Sequence, residues 1–154
     1  MYSILIFTHS LFRWLVLASL LFAIYRAYLG WLTNKSFTPL EDSIRNFTIN
    51  VINIQFLIGL WLYVKSPVVA YFWHNFSAAI HERDVRFFGM EHVTMMLIAV
   101  AIINTGSHLV KKRPTDGTKF KTVAIWFTIG LIIIFLSIPW EFSPFTGRPY
   151  IRSL

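Results

Sequence analysis

The chain has 154 residues, of which 56% are hydrophobic, 18% aromatic and only 14% charged, whereas a soluble domain has roughly 25% charged residues. This composition excludes an ordinary water-soluble domain and indicates that the protein is embedded in lipid. The net charge of +7 does not indicate nucleic-acid binding, because the basic residues lie in loops between apolar stretches and form no basic face. No cysteine is present, so disulfides, thiolate ligands and iron–sulfur clusters are excluded.

Four apolar stretches follow one another along the chain, at 4–32, about 47–64, 87–110 and 120–140. Each is near the ~20 residues that a helix needs to cross the hydrocarbon core. The first is too long and too aromatic for a signal peptide. The sequence therefore predicts an all-α protein, an integral membrane four-helix bundle formed by a single domain over 1–154.

The segments between the spans carry helix-start and helix-stop signals. Thr38 is the expected N-cap of the second helix, with Pro39 at its first position. The aromatic and weakly polar stretch 66–88 predicts a short interfacial helix between helices two and three. Pro139 ends the fourth helix.

The basic residues are distributed unevenly between the two ends of the predicted bundle. One end has eight cations in the loops between helices one and two and between helices three and four: Arg26, Lys35, Arg45, Lys111, Lys112, Arg113, Lys119 and Lys121. The opposite loops and the C-terminal tail have five: Lys65, Arg83, Arg86, Arg148 and Arg152. The positive-inside rule predicts a multi-pass membrane protein with both termini outside.

His9 and His92 each lie near the start of an apolar stretch. Helices one and three run in the same direction, and a rise of 1.5 Å per residue puts each histidine roughly 8 Å below the start of its stretch. An imidazole facing lipid would be costly, so both are expected to point into the bundle at the same depth.

Three interpretations of this level of the bundle stay open. The two histidines would ligate one haem b, with Arg13, Arg86 or Arg148 close to its propionates. Alternatively, the same residues would bind a quinone headgroup, with Glu91 as proton acceptor. Tyr63, at the same depth on helix two, belongs to either site. In the third interpretation these polar residues pair with one another as structural contacts.

His108 follows His92 by sixteen residues, which places it roughly 24 Å deeper and on another face of the helix. It cannot belong to the same site, and we expect it at the helix C-terminus beside Lys111.

Helix two has a polar stripe of Asp42, Asn46, Asn50 and Asn53. Their spacing of three and four residues puts them on one face of the helix. Lipid offers no hydrogen-bond partners to such side chains. We therefore expect this stripe to face protein.

Four segments carry a resemblance to a known family: "THSLFRWLVL", "QFLIGLWLYVKSP", "RFFGMEHVTMM" and "IPW…GRPY". The chain resembles small bacterial four-span membrane proteins often labelled cytochrome-b-like and, more distantly, cytochrome b561-type and copper-resistance-D-type domains. This resemblance implies a location in the bacterial inner membrane and haem ligation by His9 and His92. The related domains often hold two haems, and this sequence lacks the second histidine pair.

The short loops leave no room for a separate catalytic domain, so a redox role needs a bound cofactor or a partner. Whether the chain is an enzyme, an electron carrier, an accessory subunit of a larger membrane complex or a homo-oligomer stays open at this point.

Overall fold

The computed structural model describes residues 2–141. Within them are seven α-helices and no strand: α1 Tyr2–Leu32, α2 Pro39–Lys65, α3 Pro67–His74, α4 Phe76–Ala79, α5 Arg83–Arg86, α6 His92–Val110 and α7 Asp116–Ser137. A π-helical turn, Phe87–Glu91, joins α5 to α6 without a break. The helical segments long and apolar enough to cross a membrane are four: Tyr2–Leu32, Pro39–Lys65, Arg83–Val110 and Asp116–Ser137. The predicted all-α four-helix bundle is confirmed, including a short helix, α3, after the second span.

Local signals explain where the long helices begin. Thr38 is the N-cap of α2 and Pro39 follows it, although the Thr38 side chain makes no capping hydrogen bond. Glu41, in the first turn of α2, forms an ion pair with Arg26 of α1. α7 begins with a capping box in which the side chain and backbone of Thr115 both bond to Thr118.

The four spans alternate in direction. α1 packs beside α2 and α7, and α6 packs beside α7 and α2. Helices α6 and α7 approach each other closely at Gly130, where an added Cβ would overlap the side chain of Ile103, and at Gly106, where it would overlap Trp126. Leu20, Ala99 and Phe127 are fully buried at the centre of the bundle.

The loops that carry most of the basic residues lie at one end of the bundle. The Phe37 ring packs on the Phe120 ring at 5.0 Å, and the Lys121 ammonium lies 5.4 Å from the centre of the Trp31 ring. The other end, where α1 and α6 begin, is called the histidine end below.

Two polar contacts join α2 to α6. The buried Arg45 guanidinium donates to the Ser107 carbonyl oxygen at 3.2 Å and to Asp42 at 2.7 Å. Asn53 and Asn104 exchange hydrogen bonds between their side-chain amides at 3.3 and 2.9 Å. Since the interior of a membrane bundle offers few other partners, these bonds set the register of the two helices.

The expectation that the whole polar stripe of α2 faces protein is wrong for two of its four residues. Asp42 and Asn53 make the contacts just described, whereas Asn46 and Asn50 are exposed on the outer surface of α2. The Asn46 amide donates to Asp42 at 3.2 Å. Asn50 and Asn53 are three residues apart, which offsets them by about 60° around the helix, and this offset changes the face.

Candidate functional site

A cavity of about 390 Å³ opens at the histidine end between α1, α2, α6 and the end of α7. Its volume is within the usual ~300–1,000 Å³ of ligand sites. Apolar side chains such as Val16, Ile52 and Met96 form most of its wall. The polar side chains in the wall are Tyr2, His9, Ser10, Arg13, Gln55, Tyr63, Ser66 and His92.

His9 and His92 face each other at the cavity. Their ring centres are 6.4 Å apart, and their ring planes are inclined at 81°. The expected equal depth on two helices that run in the same direction is confirmed, and both rings point into the bundle.

The orientation of the His92 ring is set by the end of α7. Nδ1 of His92 lies 2.8 Å from the carbonyl oxygen of Ser137. A carbonyl oxygen can only accept, so Nδ1 carries the proton and Nε2 of the neutral ring keeps its lone pair. The Phe87 ring packs beside the imidazole at 5.7 Å between ring centres. His92 therefore offers one free acceptor or ligand atom, Nε2.

His9 is held against α2. The Gln55 amide donates to the His9 carbonyl oxygen at 2.8 Å, and a Cβ added to Gly59 would lie only 3.0 Å from Cε1 of the His9 ring. Glycine at position 59 therefore leaves the space that the imidazole needs. Nδ1 of His9 and Oε1 of Gln55 are buried and have no hydrogen-bond partner within the part of the chain that the structure describes.

Arg13 lines the cavity one turn deeper than His9. Its guanidinium lies 5.5 Å from the centre of the Trp14 ring and 5.8 Å from that of Trp140. Trp140 follows the end of α7, is only 7% exposed and donates through its indole nitrogen to the Phe135 carbonyl oxygen at 2.9 Å. The chain thus turns back after α7, and Arg13 lies against two indole rings. Nothing in the spacing of the sequence indicated this contact.

The π-helical turn just before His92 was also not predicted. Its defining bond runs from the His92 N–H to the Phe87 carbonyl oxygen, and such turns are often found at functional sites. Tyr63 of α2 donates to the Gly89 carbonyl oxygen at 2.7 Å, and Trp73 of α3 donates to the Tyr63 hydroxyl at 2.9 Å. Residues from α2 and α3 therefore hold the turn.

Glu91 and Arg86 do not contribute to the cavity wall. The Glu91 carboxylate accepts from Nε of Arg86 at 2.6 Å, and both side chains are partly exposed. Arg86 also donates to the Ile80 carbonyl oxygen at 3.2 Å. The pair ties the π-helical turn to the preceding loop.

The remaining predicted residues are Tyr63, His108 and Arg148. Tyr63 lines the cavity beside the two histidines. His108 is exposed in the last turn of α6, away from the cavity, as expected. Arg148 is outside the described residues.

The short helix α3 covers the mouth of the cavity. Pro67, Val68 and Val69 line it, and the Tyr2 hydroxyl donates to the Ser66 hydroxyl at 3.3 Å.

The Tyr71 hydroxyl of α3 donates to the Glu82 carboxylate at 2.8 Å. This hydrogen bond and the negative charge of Glu82 raise the pKa of Tyr71 above its ordinary value.

No protein-family model, curated protein or solved structure matches this chain. The chemistry of the site therefore rests on its own geometry.

Proposed function

We propose that this protein binds one haem b between His9 and His92 at the histidine end of the bundle and takes part in electron transfer in a bacterial inner membrane. The observation that carries the proposal is the 6.4 Å separation of the two ring centres.

The separation is too long for a direct hydrogen bond between the two imidazoles and is compatible with a shared metal. Two imidazoles joined by one hydrogen bond would have ring centres roughly 5 Å apart. Two imidazoles that ligate one metal ion from opposite sides, through bonds of about 2 Å, would have them roughly 6 Å apart. The observed 6.4 Å matches the second arrangement, and with the 81° inclination of the ring planes it also matches an edge-to-face ring contact, which lies at ~4.5–7 Å.

The protonation of His92 also suits ligation. An imidazole that binds a metal through one nitrogen usually donates its other N–H to a carbonyl or carboxylate, and His92 donates to Ser137. Within residues 2–141, no group of three or more His, Cys, Asp or Glu side chains lies close enough to hold a metal ion. Haem iron needs only one or two ligands from the protein, because the macrocycle supplies the others.

The cavity wall suits a largely apolar ligand with an acidic edge. Arg13 is its only cationic wall residue in the described part of the chain, and a guanidinium can bind a carboxylate through two parallel hydrogen bonds. Arg13 would hold a propionate in the apolar surroundings. When bound, haem would supply a one-electron redox centre, which the side chains of this site do not provide.

The proposed orientation has the histidine end outside and the basic loops inside. The uneven distribution of cations supports this orientation through the positive-inside rule.

An absorption spectrum of the protein purified from haem-replete cells tests the proposal. We expect a six-coordinate, low-spin spectrum that His9→Ala or His92→Ala abolishes, while His108→Ala leaves it unchanged. A pigment that survives loss of both histidines would overturn the assignment, as would a colourless wild-type protein.

Quinone binding is a second candidate, supported by Nδ1 of His9 and Oε1 of Gln55 in the cavity wall, which have no hydrogen-bond partner among residues 2–141. An imidazole N–H here would donate to a quinone carbonyl oxygen, and the carboxamide oxygen would accept from a hydroquinone hydroxyl. Glu91, the proton acceptor expected in this alternative, is paired with Arg86 outside the wall. Quinone retained by a colourless protein and lost in Gln55→Leu would favour this candidate. A colourless protein that co-purifies stoichiometrically with a larger complex would favour the accessory subunit.

A further inference from the structure

The outer face of α2 has a regular row of exposed residues, which we call the α2 seam: Ser43, Phe47, Asn50, Ile54, Leu57 and Trp61. Their spacing alternates between four and three residues, which is the heptad spacing of helices that pair side by side. The opposite side of the same helix carries Gln55, Gly59 and Tyr63, which line the cavity. The seam is thus separate from the proposed haem site.

Asn50 is the one seam residue that lipid cannot accommodate. It lies eleven residues after Pro39, or roughly 16 Å along a helix about 40 Å long, and therefore deep in the span. Its side chain is exposed and makes no hydrogen bond within the described residues. Hydrocarbon offers neither a donor nor an acceptor, so a carboxamide facing it costs free energy.

The apolar seam residues are not evidence by themselves. Phe47, Ile54, Leu57 and Trp61 are 47–64% exposed, and a lipid-facing helix ordinarily exposes such side chains. The argument depends on one polar residue at mid-depth in the middle of a helix-pairing pattern.

We infer that the α2 seam is the interface of a two-fold symmetric dimer, in which the Asn50 carboxamides of two copies bond to each other. All copies of a membrane protein share one orientation and one depth, so Asn50 of one copy meets Asn50 of the other without any adjustment of register. A carboxamide both donates and accepts, and it is therefore complementary to itself across a two-fold axis. A different partner would need its own polar side chain at this same depth.

A groove beside the seam fits the same interface. It lies between α1 and α2 and is lined by Ser19, Phe22, Ser43, Ile44, Phe47 and Thr48. Phe47 of the second copy, across the two-fold axis, would enter this space.

Cysteine cross-linking tests the interface, and the natural chain contains no cysteine to interfere. We expect Leu57→Cys on the seam to form a disulfide-linked species of twice the chain mass in native membranes. Leu97→Cys on α6 is the matched control, because it is a similarly exposed leucine at comparable depth. Equal cross-linking of the two variants, or cross-linking of Leu57→Cys only to another protein, would overturn the proposal.

The role of Asn50 is tested by the association of the purified protein in lipid, measured by energy transfer between labelled copies. Asn50→Leu should weaken association by roughly 3- to 30-fold, the range expected for side-chain hydrogen bonds between spans. Asn50→Gln keeps the carboxamide and should retain most of the association. Thr94→Leu, an exposed position on α6, should have no effect. An unchanged association constant in Asn50→Leu would overturn the proposal whether or not the protein binds haem.

Discussion

Tyr63 of α2 donates a hydrogen bond of 2.7 Å to the carbonyl oxygen of Gly89, in the π-helical turn that immediately precedes His92. A residue on one span thereby holds the irregular turn that directs a histidine on another. The turn further depends on the absence of a side chain at position 89, where an added Cβ would overlap the Phe72 ring.

Gly89→Ala should therefore destabilise the protein by about 1–3 kcal/mol, since the new methyl group must displace Phe72 or the turn. Denaturant unfolding in detergent micelles, followed by tryptophan fluorescence, would measure the change. Gly117→Ala is the matched control, because a Cβ there meets no atom within 4 Å. It should leave stability unchanged or raise it by about 0.4–1 kcal/mol. Equal stability of the two variants would contradict the packing argument.

Gly59→Val should displace the His9 ring without unfolding the bundle, because even a Cβ at this position approaches Cε1 of His9 to 3.0 Å. If His9 is a haem ligand, the low-spin absorption of the purified protein should fall at least tenfold while its helical circular dichroism is retained. Gly117→Val, at a position with no nearby atoms, should keep the pigment. Full pigment in Gly59→Val would argue against ligation by His9.

Arg45→Ala should destabilise the bundle by about 2–4 kcal/mol. The change removes a fully buried side chain and the bonds that join α2 to Ser107 of α6. Asp42 loses its partner but stays in contact with solvent, because its side chain is 47% exposed. This exposure limits the loss of unfolding free energy. Lys119→Ala breaks an ion pair of 3.6 Å between two partly exposed side chains and should cost under about 1 kcal/mol. The free energies of unfolding of the two variants, measured under identical conditions, test this ranking. Equal values would contradict it.

Single cysteines would report the orientation in the membrane. Thr115→Cys lies at the N-cap of α7 and Ser77→Cys in the short helix α4, at opposite ends of the bundle. With both termini outside, an impermeant maleimide added to intact cells should label Ser77→Cys and leave Thr115→Cys unlabelled until the membrane is opened. The reverse pattern would invert the proposed orientation.

The lipid surroundings, the number of spans and the depth of the polar residues could all be predicted from the sequence alone. Depth follows from counting, because each helical residue advances 1.5 Å, and so the common level of His9 and His92 was predictable. The start of α2 was predictable as well, since a threonine followed by proline and two acidic residues is a local signal.

The direction in which each polar side chain points could not be predicted, because it depends on packing between the helices. The π-helical turn before His92 depends on Tyr63 and Phe72, which are distant in sequence from Gly89. Trp140 is buried against Arg13 because the chain turns back after α7, and Arg45 is buried because Ser107 of another helix accepts its hydrogen bonds. Asn50 and Asn53 are three residues apart, yet Asn50 is exposed on the outside of the bundle whereas Asn53 bonds to Asn104. Depth along a helix is a local property, whereas the direction in which a side chain points depends on the neighbours that the other helices supply.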